Sequence, residues 1–260
     1  MRRARARVSA CPLRRAIVRT GLALALLASL SLVVPLRALA DDSRPTLFVF
    51  LQLDVKSSAL EQALQKELPG VAVTVFGRLR DFQDSVATRN PDAIVAIAPL
   101  LEQAQAKPTL LGVRGGKEWE PYLLVMTGAA AAGAGSTMPS LAGKTIGIVD
   151  LLGRDGTQAF AAAAVGTPDI KVKRVAKIED LLPLLEFSAA DAVLIPSSAV
   201  KRFSERTRLA LAVRELPNAR VGLPAVAVRH EKARAAIVAG IQKLDVETRS
   251  LLGIDSWSAR

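Results

Sequence analysis

From Thr46 onward the chain alternates between two hydrophobic periods. "TLFVFLQL" is a nearly continuous apolar run, and the "SSALEQALQKEL" that follows places its apolar residues at helical spacing, so a strand and then a helix are predicted. Ser58 and Glu61 make a Ser-x-x-Glu capping box at that helix's start, and Pro69-Gly70 ends it. "VAVTVF", "LRDFQDSVATR" and "DAIVAIA" continue as strand, helix and strand, and "TLLGV" and "YLLVMTG" add two more strands. Runs without alternation suit parallel strands covered on both faces. The small-residue stretch "AAAAGAGSTMPSLAG" reads as a connection between lobes. The plan then repeats with "KTIGIV", "TQAFAAAAV", "DIKVKRV", "IEDLLPLLEF" and "DAVLIP" as strand, helix, strand, helix and strand, with Pro183 near its helix start, where a missing amide costs little. After "RLALAVREL", Pro217 to Pro224 read as a loop, and "AVAVR" with "EKARAAIVAGIQKL" form a final strand and helix that return to the first lobe.

Strands alternating with helices predict an α/β fold: two lobes of mainly parallel sheets flanked by helices, with a cleft between them. Lobe 1 is expected to comprise residues 41–127 plus 222–260, and lobe 2 residues 128–221. One echo connects the lobes. "RDFQDSVATRNPDAIVAIAP" and "EDLLPLLEFSAADAVLIP" share a helix opening with Asp, then Asp-Ala, then a strand ending at Pro; Asp81 to Asp92 and Asp180 to Asp191 are both 11 residues apart (92 − 81 and 191 − 180). Such spacing points to related lobes.

Charge changes the picture at the N-terminus. The first 40 residues hold 8 arginines and no acid, an apolar run from Gly21 to Leu36, and small residues at Ala38 and Ala40 before Asp41-Asp42. A run of 16 residues broken by Pro35 is shorter than the roughly 20 that cross a bilayer. It reads as a secretory signal peptide, residues 1–40, cleaved after Ala40, with export to the periplasm. Arg14-Arg15 loosely resembles a twin-arginine signal, and the export route stays open. Without that segment 35 − 8 = 27 basic residues face 24 acidic ones, a net of +3 in place of +11, so the balance does not call for a nucleic acid partner. Cys11, the only cysteine, precedes the apolar run, which excludes disulfide, thiol and lipid-anchor chemistry from the mature chain.

Candidate chemistry is sparse. Gly143-Lys144-Thr145 lacks the earlier glycine of a phosphate loop, since Met138 stands five positions before Gly143, and it runs into a strand where a phosphate loop opens a helix. The turn Gly153-Arg154-Asp155-Gly156-Thr157 has the opposite context, strand before and helix after, so its amides face a ligand oxygen or are satisfied by Asp155 and Gln158 as an acidic capping pair. Arg154 offers a guanidinium fork there or lies in solvent. Ser198 and Lys201 match Ser-x-x-Lys, the pattern of a serine hydrolase, but neither Ser-Asp-Asn nor Lys-Thr-Gly follows, and Ser197 or Ser198 reads equally as a helix cap. His230 is the sole histidine, which rules out a His-based metal cluster and favours a surface or capping role. Tyr122, Trp119, Trp257 and seven phenylalanines supply little stacking for sugars. No catalytic set, cofactor or metal is expected.

The order of "PDAIVAIAPLLEQA", "TLLGVRGG", "YLLVMTG", "SLAGKTIGIVD", a glycine turn, "DLLPLLEFSAADAVLIP" and "VGLPAVAVR" resembles the phosphate/phosphonate-type periplasmic solute-binding proteins, of the type II periplasmic binding fold. The resemblance spans Thr46 to Arg229. It implies two lobes joined by two crossing segments, a small solute held in the cleft, and delivery to an inner-membrane ABC permease; a monomer is expected. Binding groups by this resemblance are Gln52 and Asp54 after the first strand, Ala98 and Pro99 after the third, Gly153 to Thr157, and Pro196, Ser197 and Ser198. Anion-binding forms of that family commonly carry a serine- and threonine-rich turn where this chain has Gly-Arg-Asp-Gly-Thr, and an acid there opposes a dianion. A solute-binding-like sensor or accessory protein without a transport role is the alternative, and a Ser-x-x-Lys hydrolase a third.

Overall fold

The computed structural model describes residues 44–52, 55–127 and 140–260. The signal-peptide reading, Asp54 and most of the small-residue connection lie outside the described residues. Residues 43–260 form one compact unit.

Two sheets organise it. Strands β1 (Thr46–Val49), β2 (Ala72–Val75), β3 (Ala93–Ile97), β4 (Leu110–Val113), β10 (Pro224–Val228) and β11 (Ser256–Ala259) assemble in the order β11-β4-β10-β3-β1-β2. Strands β5 (Trp119–Thr127), β6 (Thr145–Val149), β7 (Lys171–Val175), β8 (Ala192–Pro196) and β9 (Leu211–Gly222) assemble in the order β7-β6-β8-β5-β9. Each sheet is covered on both faces. In the first, α1 (Ser57–Glu67), α7 (Glu231–Gln242) and α8 (Val246–Leu251) pack around Leu47, Leu64, Val95, Val226 and Ile237. The opposite face carries α2 (Leu79–Arg89) and α3 (Ala98–Gln103) over Phe48, Phe50, Phe82 and Leu101. In the second, α4 (Gly153–Val165) lies over Ile146, Ile148 and Leu194, and α5 (Leu181–Glu186) and α6 (Val200–Glu205) over Val125, Val193 and Ile195. Two such lobes are the predicted α/β architecture.

The sheets are mixed, whereas the apolar runs suggested mainly parallel ones. Among the described residues four of the nine strand pairings are parallel, those of β1 with β2 and β3 and of β6 with β7 and β8; five are antiparallel. A continuous apolar run reports burial on both faces, which helices enforce here whatever the strand direction; antiparallel β10 is as buried as parallel β3.

The two lobes repeat each other. β1, β2 and β3 start at Thr46, Ala72 and Ala93, while β6, β7 and β8 start at Thr145, Lys171 and Ala192, a constant offset of 99 (145 − 46, 171 − 72, 192 − 93). The Asp-Ala echo acquires a physical role in this repeat. Asp92 accepts hydrogen bonds from the Thr46 amide at 2.8 Å and the Thr46 hydroxyl at 2.9 Å, and Asp191 accepts one from the Thr145 amide at 2.8 Å. Each aspartate, entering the third strand of its lobe, ties down the entry of the first.

Between the lobes the chain crosses twice, through Arg114 to Glu118 and through Gly222 to Leu223. The first crossing turns on Gly115 and Gly116, both at positive φ (56° and 73°), a backbone that glycine adopts without strain. Each crossing feeds a strand into the other lobe's sheet: β5 lies between β8 and β9, and β10 between β3 and β4. The lobe boundary expected after Thr127 is therefore corrected, since β5 already belongs to the second sheet. An apolar run does not reveal which sheet it joins.

Further corrections are local. Residues Pro217 to Pro224, expected to loop, are largely strand: β9 continues to Gly222, and the register against β5 shifts between Pro121 and Leu123. That irregularity places Pro217 where the ladder is interrupted, so its missing amide is tolerated. The Ser58–Glu61 capping box does not form. Helix α1 begins at Ser57 after Lys56, without a side-chain cap, and Glu61 accepts from the Val75 amide of edge strand β2 at 2.8 Å. Asp155 and Gln158 form no capping pair either; Asp155 lies in the first turn of α4, and Gln158 donates to the Ile170 carbonyl.

Candidate functional site

The C-terminal ends of β1, β3, β6 and β8 point toward the crossing strands, and there a cavity of about 400 Å³ opens between the lobes. Lobe 1 contributes Phe50, Leu51, Gln52, Val55, Ile97 and Leu100, together with Ser250 to Gly253 at the end of α8. Lobe 2 contributes Leu151, Ile178, Pro196, Ser198, Ala199 and Arg202. The crossings and their strands supply Arg114, Glu120, Tyr122 and Val221 to Pro224. Most of this wall is apolar.

Its polar centre is an ion pair between Arg114, which opens the first crossing, and Glu120 of β5, just beyond it. Arg114 Nη2 lies 2.6 Å from Glu120 Oε2, with the side chains 31% and 12% exposed. The other carboxylate oxygen accepts from the Ser198 amide at 2.7 Å and the Ser197 hydroxyl at 3.3 Å. Glu120 thus fills from within the chain the place where the helical segment after β8 presents a free amide. Buried Tyr122 stands nearby, and burial, with the Glu120 charge adding to it, pushes its phenol well above the ordinary value. Across the cleft Gln52 Nε2 donates to the Asp150 carbonyl at 3.3 Å, and Leu152 of lobe 2 packs into the lobe 1 cluster around Phe82 and Phe76. The lobes touch, so the cleft is closed.

The expected site residues divide into two sets. Gln52, Pro196 and Ser198 line the cavity, and Ser197 backs it through Glu120. Ala98 and Pro99 start α3 beside the wall residues Ile97 and Leu100 without joining the wall. Gly153 to Thr157 lie off it. Gly153 sits 3.9 Å from Leu79 at the point where a Cβ would stand, Arg154 and Asp155 are exposed, and fully buried Thr157 donates its hydroxyl to Asp150 Oδ1 at 2.9 Å and accepts from the Leu152 amide at 3.1 Å. Asp150 also pairs with Arg174 at 2.6 Å. The strand-to-helix turn therefore serves the protein's own carboxylate and its packing against lobe 1.

Other motifs resolve into structure. Lys144 of Gly-Lys-Thr pairs with Asp191 at 3.2 Å. Ser198 and Lys201 are both exposed, and among the described residues no hydrogen bond joins them. His230 Nδ1 lies 2.9 Å from Asp92 at the start of α7. Among the described residues there is no group of three or more metal-ligating side chains, and no helix is long and apolar enough to cross a membrane. Arg114 and Glu120 are not evident from the sequence because they flank a glycine turn and come together only when the first crossing folds. The available signal was a pair of carboxylates, Glu118 and Glu120, at the start of a strand whose later residues are mostly buried.

No protein-family model matches the chain, and no curated protein matches it in sequence. Solved structures do. An amino acid ABC transporter substrate-binding protein, AbpA of Streptococcus pneumoniae, bound to L-arginine, is 15% identical with a TM-score of 0.52, over 81% of this chain and 91% of that one. The ligand-binding core of GluR0 in complex with L-glutamate is 14% identical with a TM-score of 0.52, over 81% and 96%. A double mutant of the BvgS VFT2 domain of Bordetella pertussis is 14% identical with a TM-score of 0.51, over 80% and 91%. At these identities the likeness defines the class of fold: a two-lobe α/β architecture of the type II periplasmic-binding-protein kind.

Proposed function

We propose that this chain is a solute-binding protein that captures a small solute between its lobes and presents it to an ABC-type importer, without catalysing a reaction on it. The cavity of about 400 Å³ on the crossing strands, walled by both lobes, carries this reading. A concave, mostly apolar space with a few placed polar groups is what a small-molecule site requires. The arginine-rich, apolar N-terminal segment supports export to the periplasm, and a neighbour of similar fold is named as an ABC transporter substrate-binding protein.

Two finer identities for the solute compete. The phosphonate-type resemblance points to an oxyanion, while the neighbours named with L-arginine and L-glutamate point to an amino acid. Among the described residues the cavity holds one acid, Glu120, and two guanidinium side chains, Arg114 and Arg202, which favours a solute with an anionic or polar head. A sensor or accessory role is the second reading, favoured by a cleft that is closed by the protein's own contacts, Gln52 to Asp150 and Leu152 against the lobe 1 aromatic cluster.

Thermal unfolding with amino acids, small organic acids, sulfonates, phosphate and phosphonates tests the binding reading. A ligand at 100 times its Kd should add about 2.7 kcal/mol of stability; absence of any shift at millimolar concentrations across the panel counts against solute binding. Co-purification with permease subunits supports transport, and co-purification with a sensor kinase supports the second role.

A further inference from the structure

We infer that Glu120 determines what the cleft accepts: it occupies the oxyanion position from within the chain, so the site rejects dianions and takes a solute with an apolar body and a single carboxylate. The inference rests on the solute-binding reading above and specifies its ligand.

Both oxygens of Glu120 are committed to the protein, Oε2 to Arg114 and Oε1 to the Ser198 amide with the Ser197 hydroxyl. Its side chain is 12% exposed, so these bonds are formed largely out of water, where charge-assisted hydrogen bonds are strong and an unpaired carboxylate is unfavourable. A phosphonate or phosphate seeking the same donors meets a fixed negative charge at hydrogen-bond distance from each of them. Displacing Glu120 would leave a nearly buried carboxylate without partners; leaving it in place sets two negative charges against a third. Either outcome disfavours a dianion.

Arg114 is not exhausted by this arrangement. A guanidinium has five N–H donors, Glu120 engages Nη2, and the side chain remains about one third exposed on the cavity wall. One carboxylate can share Arg114 with Glu120 without displacing it. The remaining wall selects the body of the ligand. Phe50, Ile97, Leu151, Val221 and Leu252 border the same space, and apolar surface of this kind is complementary to an alkyl or aryl group. Among the described residues no acid other than Glu120 lines the cavity, and Glu120 is already satisfied, so none of them offers a free carboxylate to an ammonium group. That disfavours an α-amino acid relative to the corresponding acid without the amine.

Calorimetric and thermal-shift titrations of the wild-type protein, Glu120→Gln and Glu120→Asp test this with three probes: 4-methylpentanoate, L-leucine and methylphosphonate. The wild type is expected to bind 4-methylpentanoate at least tenfold more tightly than L-leucine and to show no methylphosphonate binding. Glu120→Gln keeps an acceptor for the Ser198 amide while removing the charge, and it should gain methylphosphonate affinity by tenfold or more. Glu120→Asp keeps the charge and should continue to exclude methylphosphonate, which separates charge from shape and serves as the test should Glu120→Gln fail to fold. Methylphosphonate binding equally well to wild type and Glu120→Gln, or L-leucine binding more tightly than 4-methylpentanoate, overturns the inference while leaving a solute-binding cleft. Failure of all three probes to bind any of the three proteins overturns the inference together with the binding reading on which it rests.

Discussion

At the scale of single residues, the repeated aspartates make a measurable claim about acid stability. Burial by itself pushes the Asp92 carboxyl up, but the Thr46 amide, His230 and the Thr46 hydroxyl outweigh it and hold the group below the ordinary carboxylate range. The Thr145 amide does the same for Asp191, with Lys144 assisting against desolvation. A carboxyl depressed in the folded state contributes stability that is present above its unfolded value, about 3.9, and is lost as pH falls through the folded value. Asp92→Asn should therefore lower stability by roughly 1–2 kcal/mol at pH 7, with the difference from wild type shrinking toward zero as the pH drops below the ordinary carboxylate range. Urea unfolding across that range measures it. Asp155 behaves differently because it lies exposed on the first turn of α4 and off the cavity wall. Asp155→Ser should leave ligand affinity in the cleft unchanged and cost only the helix-start interaction, about 0.3–1 kcal/mol; a tenfold change in affinity would return that turn to the site.

Elements show which features a sequence can carry. Helix α2 occupies the residues its periodicity assigned, Leu79–Arg89, and β8 falls within "DAVLIP", because an amphipathic stripe and a short buried run are local signals. Sheet membership is not local. β5 and β9 pair over nearly their whole length, yet nothing in "YLLVMTG" distinguishes a strand of the first sheet from one of the second, and Pro217 conceals the continuity of β9. The short α8 and β11 at the C-terminus carry too few apolar residues to declare themselves; they are fixed by distant partners, the Asp245 amide donating to Glu67 and β11 pairing with β4. The candidate site divides along the same line. Gln52, Pro196 and Ser198 follow from strand ends, whereas Arg114 and Glu120 require the crossing. β4 provides a direct test of how tightly its neighbours close on it: a Cβ at Gly112 would stand 2.6 Å from the Pro224 carbonyl oxygen and 2.7 Å from Ile254. Gly112→Ala should cost about 1–3 kcal/mol through overpacking. Since Pro224 borders the cavity, it should also weaken ligand binding, which Gly70→Ala, with open space around its Cβ, should not.

For the molecule as a whole, the balance between closed and open lobes rests on few contacts. Each lobe has its own two cores and its own sheet, so separating the lobes about the crossings leaves the bulk of the buried surface intact. Among the described residues, what opposes separation across the cleft is the Gln52 bond to the Asp150 carbonyl, at 3.3 Å a long one, the insertion of Leu152 against the lobe 1 aromatic cluster, and the packing of Ile97 against the lobe 2 core. The Glu120 bonds do not contribute equally, because Glu120 and Ser198 belong to the same sheet: β5 pairs Tyr122 with Pro196. The closed state is therefore held mainly by a few partly buried apolar side chains, Leu152 from lobe 2 and Ile97 from lobe 1, and truncating Leu152 removes the largest apolar insertion across the cleft. A ligand bridging both lobes restores closure only by its differential affinity for the closed form. Leu152→Ala should accordingly shift the unliganded protein toward an open form, seen as an increased radius of gyration in small-angle X-ray scattering. A saturating bound carboxylate should reverse the increase, while Gln52→Ala alone should produce a smaller one. An unchanged radius in the variant combining Leu152→Ala with Gln52→Ala would locate the closing force in the crossing strands themselves, and the cleft would then be a rigid pocket.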